Sequence, residues 1–267
     1  MLKDITLGQY FPVESPVHHL DARTKLILSF AFIIVLFMAH GFWAYALCAA
    51  GVAGVTLLSR IRFRMLLKSL KPIVFLAAFT ALLNMLYTPG QILWEFWIFH
   101  VTREGIETAV YMVVRIILLV ASTSLLTYTT SPVALTDAIE TLFRPLSRLH
   151  LPVHEFAMMM TIALRFIPTL IEETDKIMNA QKARGADFES GNLLRRAKAL
   201  VPVLVPLFVS AFRRADELSV AMECRLYRGG SSRTRLKELK LGKNDGAAYA
   251  VTGVFFVCVF ILTRMLP

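Results

Sequence analysis

LILSFAFIIVLFMA (residues 26–39), HG (40–41) and FWAYALCAAGVAGVTLLS (42–59) make one long apolar block broken only in its middle. An α-helix rises about 1.5 Å per residue, so crossing a hydrocarbon layer of roughly 30 Å takes about 20 apolar residues. The whole block is too long for one span without extreme tilt. The break at His40 and Gly41 therefore predicts a tight hairpin of two short spans, with its turn near Gly41.

The composition agrees. Of 267 residues, 56% are hydrophobic and 18% charged, against roughly 45–50% and about 25% in soluble domains. One globular core cannot hide that much apolar surface, which makes lipid the second solvent. A disordered tail, a disulfide scaffold and a collagen-like rod are excluded. Cys48, Cys224 and Cys258 form no framework, and two of them lie in apolar runs as small hydrophobes. Residues 1–25 hold Gly8, Pro12 and Pro16 but no apolar centre followed by a small-residue cleavage site. They predict a cytoplasmic lead-in rather than a signal peptide.

Downstream, Pro72 opens a third apolar run (72–87), and Thr88-Pro89-Gly90 marks a turn after it. Trp94, Trp97 and Phe99 suit an aromatic belt at a membrane surface. Residues 105–128 form a fourth run and 247–265 the last. The net charge is +10. Its bases cluster beside these runs: Arg23 and Lys25 before the first, Arg60 to Lys71 between the second and third, Arg225 to Lys243 before the last. Five spans with a cytoplasmic N-terminus and an outside C-terminus put these clusters on one side, as the positive-inside rule requires. The charge is thus a collar beside lipid, not a nucleic-acid face.

Residues 131–230 differ. Ser131-Pro132 reads as an N-cap with proline at the first helical position, starting a short helix that runs to about residue 149. Residues 153–183 form an amphipathic helix. Arg165, Glu172 and Lys176 share one face, Phe156, Met160, Ala163, Ile167, Leu170, Ile171 and Met178 the other, and Pro168 bends it. A further helix covers about 192–225, with an apolar middle (199–212) too short to span and charged ends. Both helices are expected to lie in or against the membrane interface on the cytoplasmic side. The expected organisation is a four-span bundle (1–130), a domain of long amphipathic helices (131–230), then a basic linker and C-terminal span (231–267).

The two long helices end alike, on Lys182-Ala183-Arg184-Gly185 and on Glu223-Cys224-Arg225-Leu226. An arginine at a helix C-terminus is favoured by the dipole, and Gly185 suits a left-handed cap. Two such ends on consecutive helices also project two guanidinium forks, suited to acceptors in a partner's groove.

On these residues the chain resembles the transmembrane T component of energy-coupling factor (ECF) transporters, the EcfT/CbiQ family. Ser15-Pro16-Val17-His18-His19-Leu20-Asp21-Ala22-Arg23-Thr24-Lys25-Leu26 is similar to the family's opening segment. Ala163-Leu164-Arg165-Phe166-Ile167-Pro168 is similar to its coupling-helix core, and Ala183-Arg184-Gly185 matches the first of its two Ala-Arg-Gly motifs. In the second motif Arg225 is kept, while Cys224 stands for Ala and Leu226 for Gly. Leucine does not adopt a glycine-type backbone cheaply.

The resemblance implies an all-α integral membrane protein of about five transmembrane helices, in a bacterial or archaeal cell membrane. It implies the non-catalytic coupling subunit of an ABC-type importer. Arg184 and Arg225 would each dock into one of two ATPase subunits, supported by Ala183, Gly185, Glu223 and Cys224. Phe156, Met160, Ile167, Leu170 and Ile171 would contact a membrane-embedded S component that binds the vitamin or metal ion. The unlikeness of the two motifs favours two unlike ATPase subunits. ATP and Mg would be bound by those partners, with no cofactor, metal or nucleic acid in this chain.

The remaining candidates are thinner. No Gly-rich phosphate loop is present; Gly229-Gly230-Ser231-Ser232 lacks its lysine. His150 and His154, with Glu155 beside them, are separated by Pro152, which prevents a regular helix from aligning them on a metal. Asp137, Glu140 and Glu155 have no accompanying nucleophile. Arg115 inside the fourth run marks a functional site, a structural pair or a snorkelling side chain, and Asn84 an interhelical hydrogen bond rather than a substrate ligand. A substrate site near Arg115 and Asn84 is the alternative expectation, that of a self-sufficient secondary transporter.

Overall fold

The computed structural model describes residues 10–89, 91–96, 99–145, 152–188, 192–227, 229 and 241–265. In chain order the elements are α1 (Ala22–Met38), α2 (Phe42–Leu58), α3 (Phe63–Tyr87), β1 (Ile92–Phe96), β2 (Phe99–Thr102), α4 (Arg103–Thr129), α5 (Pro132–Phe143), α6 (Val153–Ala183), α7 (Leu193–Cys224) and α8 (Lys243–Met265). Among the described residues the architecture is all-helical apart from one short antiparallel hairpin. It divides into two compact units, one of residues 8–138 with 238–267 and one of residues 139–237, with α5 straddling the division.

In the first unit, α1 and α2 form the expected hairpin. Gly41 takes φ 85 at the turn, a conformation that a side chain resists. Both arms have 17 residues, about 26 Å of helix, shorter than the hydrocarbon core. Leu36, Ala39, Ala44, Tyr45 and Cys48 from this hairpin bury with Leu118 of α4 and Val259 of α8. A second cluster joins Ile61 and Leu66 to Ala121, Leu125 and Tyr128 of α4. The α3–α4 crossing is close enough to need a glycine. A Cβ on Gly105 would stand 2.8 Å from Thr102 Oγ1 and 3.0 Å from the Met85 carbonyl.

Three boundaries differ from the sequence reading. Pro72 does not open the third run; α3 begins at Phe63 and carries Pro72 inside it. Arg64, Lys68 and Lys71 are therefore helical rather than in a connecting loop. Proline is tolerated there because freed backbone groups in membrane helices find other partners. The segment expected as an aromatic belt has a strand backbone, with Phe96 opposite Phe99 and an irregularity between Ile92 and Trp94. Its β-branched and aromatic composition favours extended chain, and Trp97 lies outside the described residues. The helix from Pro132 ends at Phe143, and residues 146–151 lie outside the described residues. Its predicted cap is present, with the Ala134 amide donating to Ser131 Oγ at 3.2 Å.

Among the described residues four helices are long and apolar enough to cross a membrane: α3, α4, α6 and α8, with α2 a shorter apolar helix. α6 is the least apolar of the four. Its inclusion reflects an apolar first half; Glu172, Glu173, Asp175 and Lys176 all fall in the second.

The opening segment is tied down by a polar knot. The Lys25 ammonium, on a residue only 8% exposed, donates to the His18 carbonyl at 3.1 Å and the Thr129 carbonyl at 2.8 Å. The Phe11 amide donates to the Tyr128 carbonyl at 3.0 Å. Asp21 caps α1 by accepting from the Arg23 amide at 2.9 Å and binds the Arg23 guanidinium at 2.8 Å. The Asp21 amide donates in turn to buried Asp245 in the first turn of α8 at 2.9 Å. Burial alone would raise the Asp21 pKa, but its hydrogen bonds to Arg23 outweigh that and hold it below the ordinary 3.8. Burial, then the Lys25 charge, lowers His18 from the ordinary 6.5.

Both shifts have the same sign. Each group binds its proton more readily in the unfolded chain, so each contributes stability at higher pH that is lost on acidification. The thermal midpoint of the purified chain is expected to fall below pH 6.5 as His18 titrates, and again below about 3.8 as Asp21 does. Asp21→Asn should cost about 1–3 kcal/mol at neutral pH and remove the second step. An unchanged acid limb in that variant refutes the assignment.

Candidate functional site

The second unit is a pair of long helices with almost no core. Among its described residues only Ala157 and Val203 are buried. What joins α6 to α7 is polar. Glu173 accepts from the Ser210 hydroxyl and, at 3.0 Å, from the Arg214 guanidinium. Arg214 also sits over the Phe166 ring, 5.7 Å from its centroid. Further along, Gln181 reaches the Pro202 carbonyl at 3.5 Å. Residue numbers rise on α6 as they fall on α7, so the two helices run antiparallel.

Their C-termini close in the same way. At α6 the Gly185 amide donates to the Lys182 carbonyl and the Ala186 amide to the Gln181 carbonyl, both at 3.0 Å. At α7 the Leu226 amide donates to the Glu223 carbonyl at 2.8 Å and the Tyr227 amide to the Met222 carbonyl at 3.0 Å. This paired pattern needs a left-handed residue just past the cap. Gly185 supplies φ 87 and Leu226 supplies φ 56. Arg184 and Arg225 occupy the cap position itself, with nearly equal backbone angles (φ −85, ψ 6 and φ −89, ψ 13). The unlikeness read from Cys224 and Leu226 is therefore confined to side chains. Leucine takes the conformation glycine takes, at a cost of roughly 1–2 kcal/mol.

Ala183, Arg184, Gly185, Glu223, Cys224 and Arg225 are all exposed. Because the pair is antiparallel, the two groups lie at opposite ends of it. The helix from Pro202 to Arg225, at about 1.5 Å per residue, separates the two caps by roughly 35 Å along the pair.

Of the α6 residues expected to meet a membrane partner, Phe156 and Met160 are exposed, while Ile167, Leu170 and Ile171 are half-buried. A more open apolar stripe lies on α7: Val201, Val205, Phe208 and Phe212 are all exposed, the last by 70%. That stripe was readable from its i, i+4, i+7, i+11 spacing. In a segment too short to span, the apolar content reads first as a broken run, and the stripe emerges only from the helical period. The Glu173–Arg214 clasp was not readable, because both residues look like ordinary charges on a solvated face.

The remaining candidates are engaged inside the protein. Arg115 donates to the Tyr45 hydroxyl from Nε at 2.9 Å and from a terminal nitrogen at 2.6 Å, and lies 5.6 Å from the centroid of the Phe37 ring. Asn84 donates to the Thr80 carbonyl of its own helix at 2.9 Å, so its bond is not the interhelical one expected. Helix-internal donation discharges a polar side chain in lipid without a partner helix. His154 pairs with Glu140 at 3.0 Å, and His150 lies outside the described residues. Among the described residues no three His, Cys, Asp or Glu side chains converge as metal ligands.

Comparison with known proteins brings in the rest. The family model described as cobalt transport protein (CbiQ) matches residues 13–236. The energy-coupling factor transporter transmembrane protein EcfT of Ruminiclostridium cellulolyticum is 50% identical over 262 residues, covering 98% of each chain. That of Clostridium kluyveri is 52% identical over 269 residues, 99% of this chain and 98% of its own. That of Bacillus subtilis is 47% identical over 263 residues, 98% of this chain and 99% of its own.

The cap geometry makes a stability prediction. Leu226→Gly should stabilise the end of α7 by about 1 kcal/mol, and Gly185→Leu should destabilise the end of α6 by a similar amount. Hydrogen exchange of the last turn of each helix measures both, and equal protection in variant and parent contradicts the cap assignment.

Proposed function

The chain belongs to the family of energy-coupling factor transporter transmembrane proteins, and we propose that within it α6 and α7 carry motion from two ATPase subunits to a separate S component. The S component would bind a vitamin or a metal ion, such as the cobalt named in the family's description. The supporting observation is the matched pair of arginine caps at opposite ends of one antiparallel pair. Each presents a cation at the negative end of a helix dipole, on an exposed tip, in the same backbone frame. A guanidinium in that setting offers five donors in a rigid fork to a carboxylate- or carbonyl-lined groove.

The apolar faces beside the caps suit a partner in the membrane. Phe156 and Met160 on α6 and the Val201–Phe212 stripe on α7 are too exposed for water alone. On this reading the bundle of α1–α4 and α8 is the membrane anchor, with the N-terminus cytoplasmic in a bacterial or archaeal membrane. The chain performs no catalysis. ATP and Mg belong to the ATPase partners, and the Glu173–Arg214 clasp makes the two caps ends of one lever. Because the two caps share one backbone frame, either like or unlike ATPase subunits would fit.

The experiment is co-purification and uptake in proteoliposomes with Arg184→Ala and Arg225→Ala, singly and together. Losing one charge-assisted docking contact should weaken ATPase binding about tenfold or more. The double variant should lose the ATPases, or hydrolyse ATP without uptake, while its thermal midpoint stays within a few degrees of the parent. Full uptake with both arginines removed overturns the proposal.

A further inference from the structure

We propose that the corner between α2 and α3 is a docking face for anionic phospholipid headgroups. The face goes beyond a topology signal, because the fold presents its cations as one surface, and it is independent of the coupling role. Arg60 turns the chain in a left-handed conformation at φ 54. The residues after it are locked inward. Ile61 and Leu66 are buried against Ala121, Leu125 and Tyr128, and the Ser69 hydroxyl is hydrogen-bonded to the Tyr128 hydroxyl.

That lock decides where the charges go. On a helix of 3.6 residues per turn, Arg64, Lys68 and Lys71 lie at i, i+4 and i+7 on one face, away from Leu66 and Ser69. Arg60 and Arg62 flank them, and all five side chains are exposed. No aspartate or glutamate occurs anywhere from residue 22 to residue 94, so the chain places no counter-charge in this stretch.

Beside the basic stripe runs an apolar one. Phe63 and Leu67 share the neighbouring strip of α3, and Leu57 and Leu58 lie in the last turn of α2 just before the corner in the chain, exposed by 52%, 62%, 69% and 58%. Water is a poor partner for four large open side chains, and a nucleic-acid or acidic-protein surface offers them nothing apolar. A bilayer interface satisfies both stripes, with acyl chains against the leucines and phosphates against the cations. Length agrees: α3 has 25 residues, about 37 Å, more than the roughly 30 Å hydrocarbon core. Its first turns reach the headgroup layer when the rest crosses.

The test uses the full chain in nanodiscs of phosphatidylcholine with and without phosphatidylglycerol. Lipids retained after detergent release are counted by native mass spectrometry. The parent should retain phosphatidylglycerol over phosphatidylcholine. Arg64→Gln with Lys68→Gln and Lys71→Gln should reduce that preference about tenfold or more, and added salt should erode it in the parent. The charge-preserving set Arg64→Lys, Lys68→Arg and Lys71→Arg should keep it, which separates charge from folding. Neutralising Arg195, Arg196 and Lys198 instead should leave it intact. Equal retention of both lipids by the parent overturns the proposal, as does an undiminished preference in the glutamine variant. So does a glutamine variant that keeps its lipid but loses a co-purifying protein, which would make the corner a protein-docking face.

Discussion

A single buried ammonium organises the membrane unit. Lys25 sits where the opening segment, the start of α1 and the end of α4 meet, and it donates to carbonyls from two of them. An unpaired charge there would be prohibitively costly, so these elements must converge for the residue to be buried at all. Asp245 adds the start of α8 through the Asp21 amide. The knot therefore brings the ends of three helices to one level. With their ends set, Leu36, Cys48, Leu118 and Val259 meet in one cluster.

The second unit rests on the opposite strategy. It has almost no apolar core of its own, and a polar clasp at Glu173, Ser210 and Arg214 joins its helices. A clasp half open to water is worth little as stability. It does hold the alignment of α6 on α7, which is what a lever needs. The apolar faces that a core would have consumed stay open for partners. The two arginine caps gain their separation from this antiparallel alignment and not from anything in their own sequences.

Much of this was legible in advance, for local reasons. The α1–α2 turn at Gly41, the bounds of α6 and α7, the Ser131 cap and the cap at Gly185 all follow from hydrophobic period and from residues with special backbone freedom. The misread places are those where a local rule met a tertiary one. Pro72 marks a start in isolation, yet α3 runs through it. Asn84 suggests a partner helix, yet its side-chain amide donates to the Thr80 carbonyl of its own helix. Leu226 argues against a left-handed cap, yet the hydrogen bonds of Leu226 and Tyr227 to the last turn of α7 form there as they do at Gly185.

What each segment is follows from the chain alone: apolar runs, the first two too short to cross a membrane upright, two amphipathic helices, an arginine at the C-terminal end of each, and a basic run free of acids. These are properties of composition and period, which need no neighbour. What those segments do to one another is set by tertiary contacts. Arg115 is quenched by Tyr45, seventy positions away. The two caps face opposite ends because Glu173 meets Arg214. The cations of α3 share a surface because Ile61 and Leu66 are buried on the other side. Each is a contact between residues far apart in the chain or on opposite faces of a helix, and no period in a sequence specifies which distant residue will arrive.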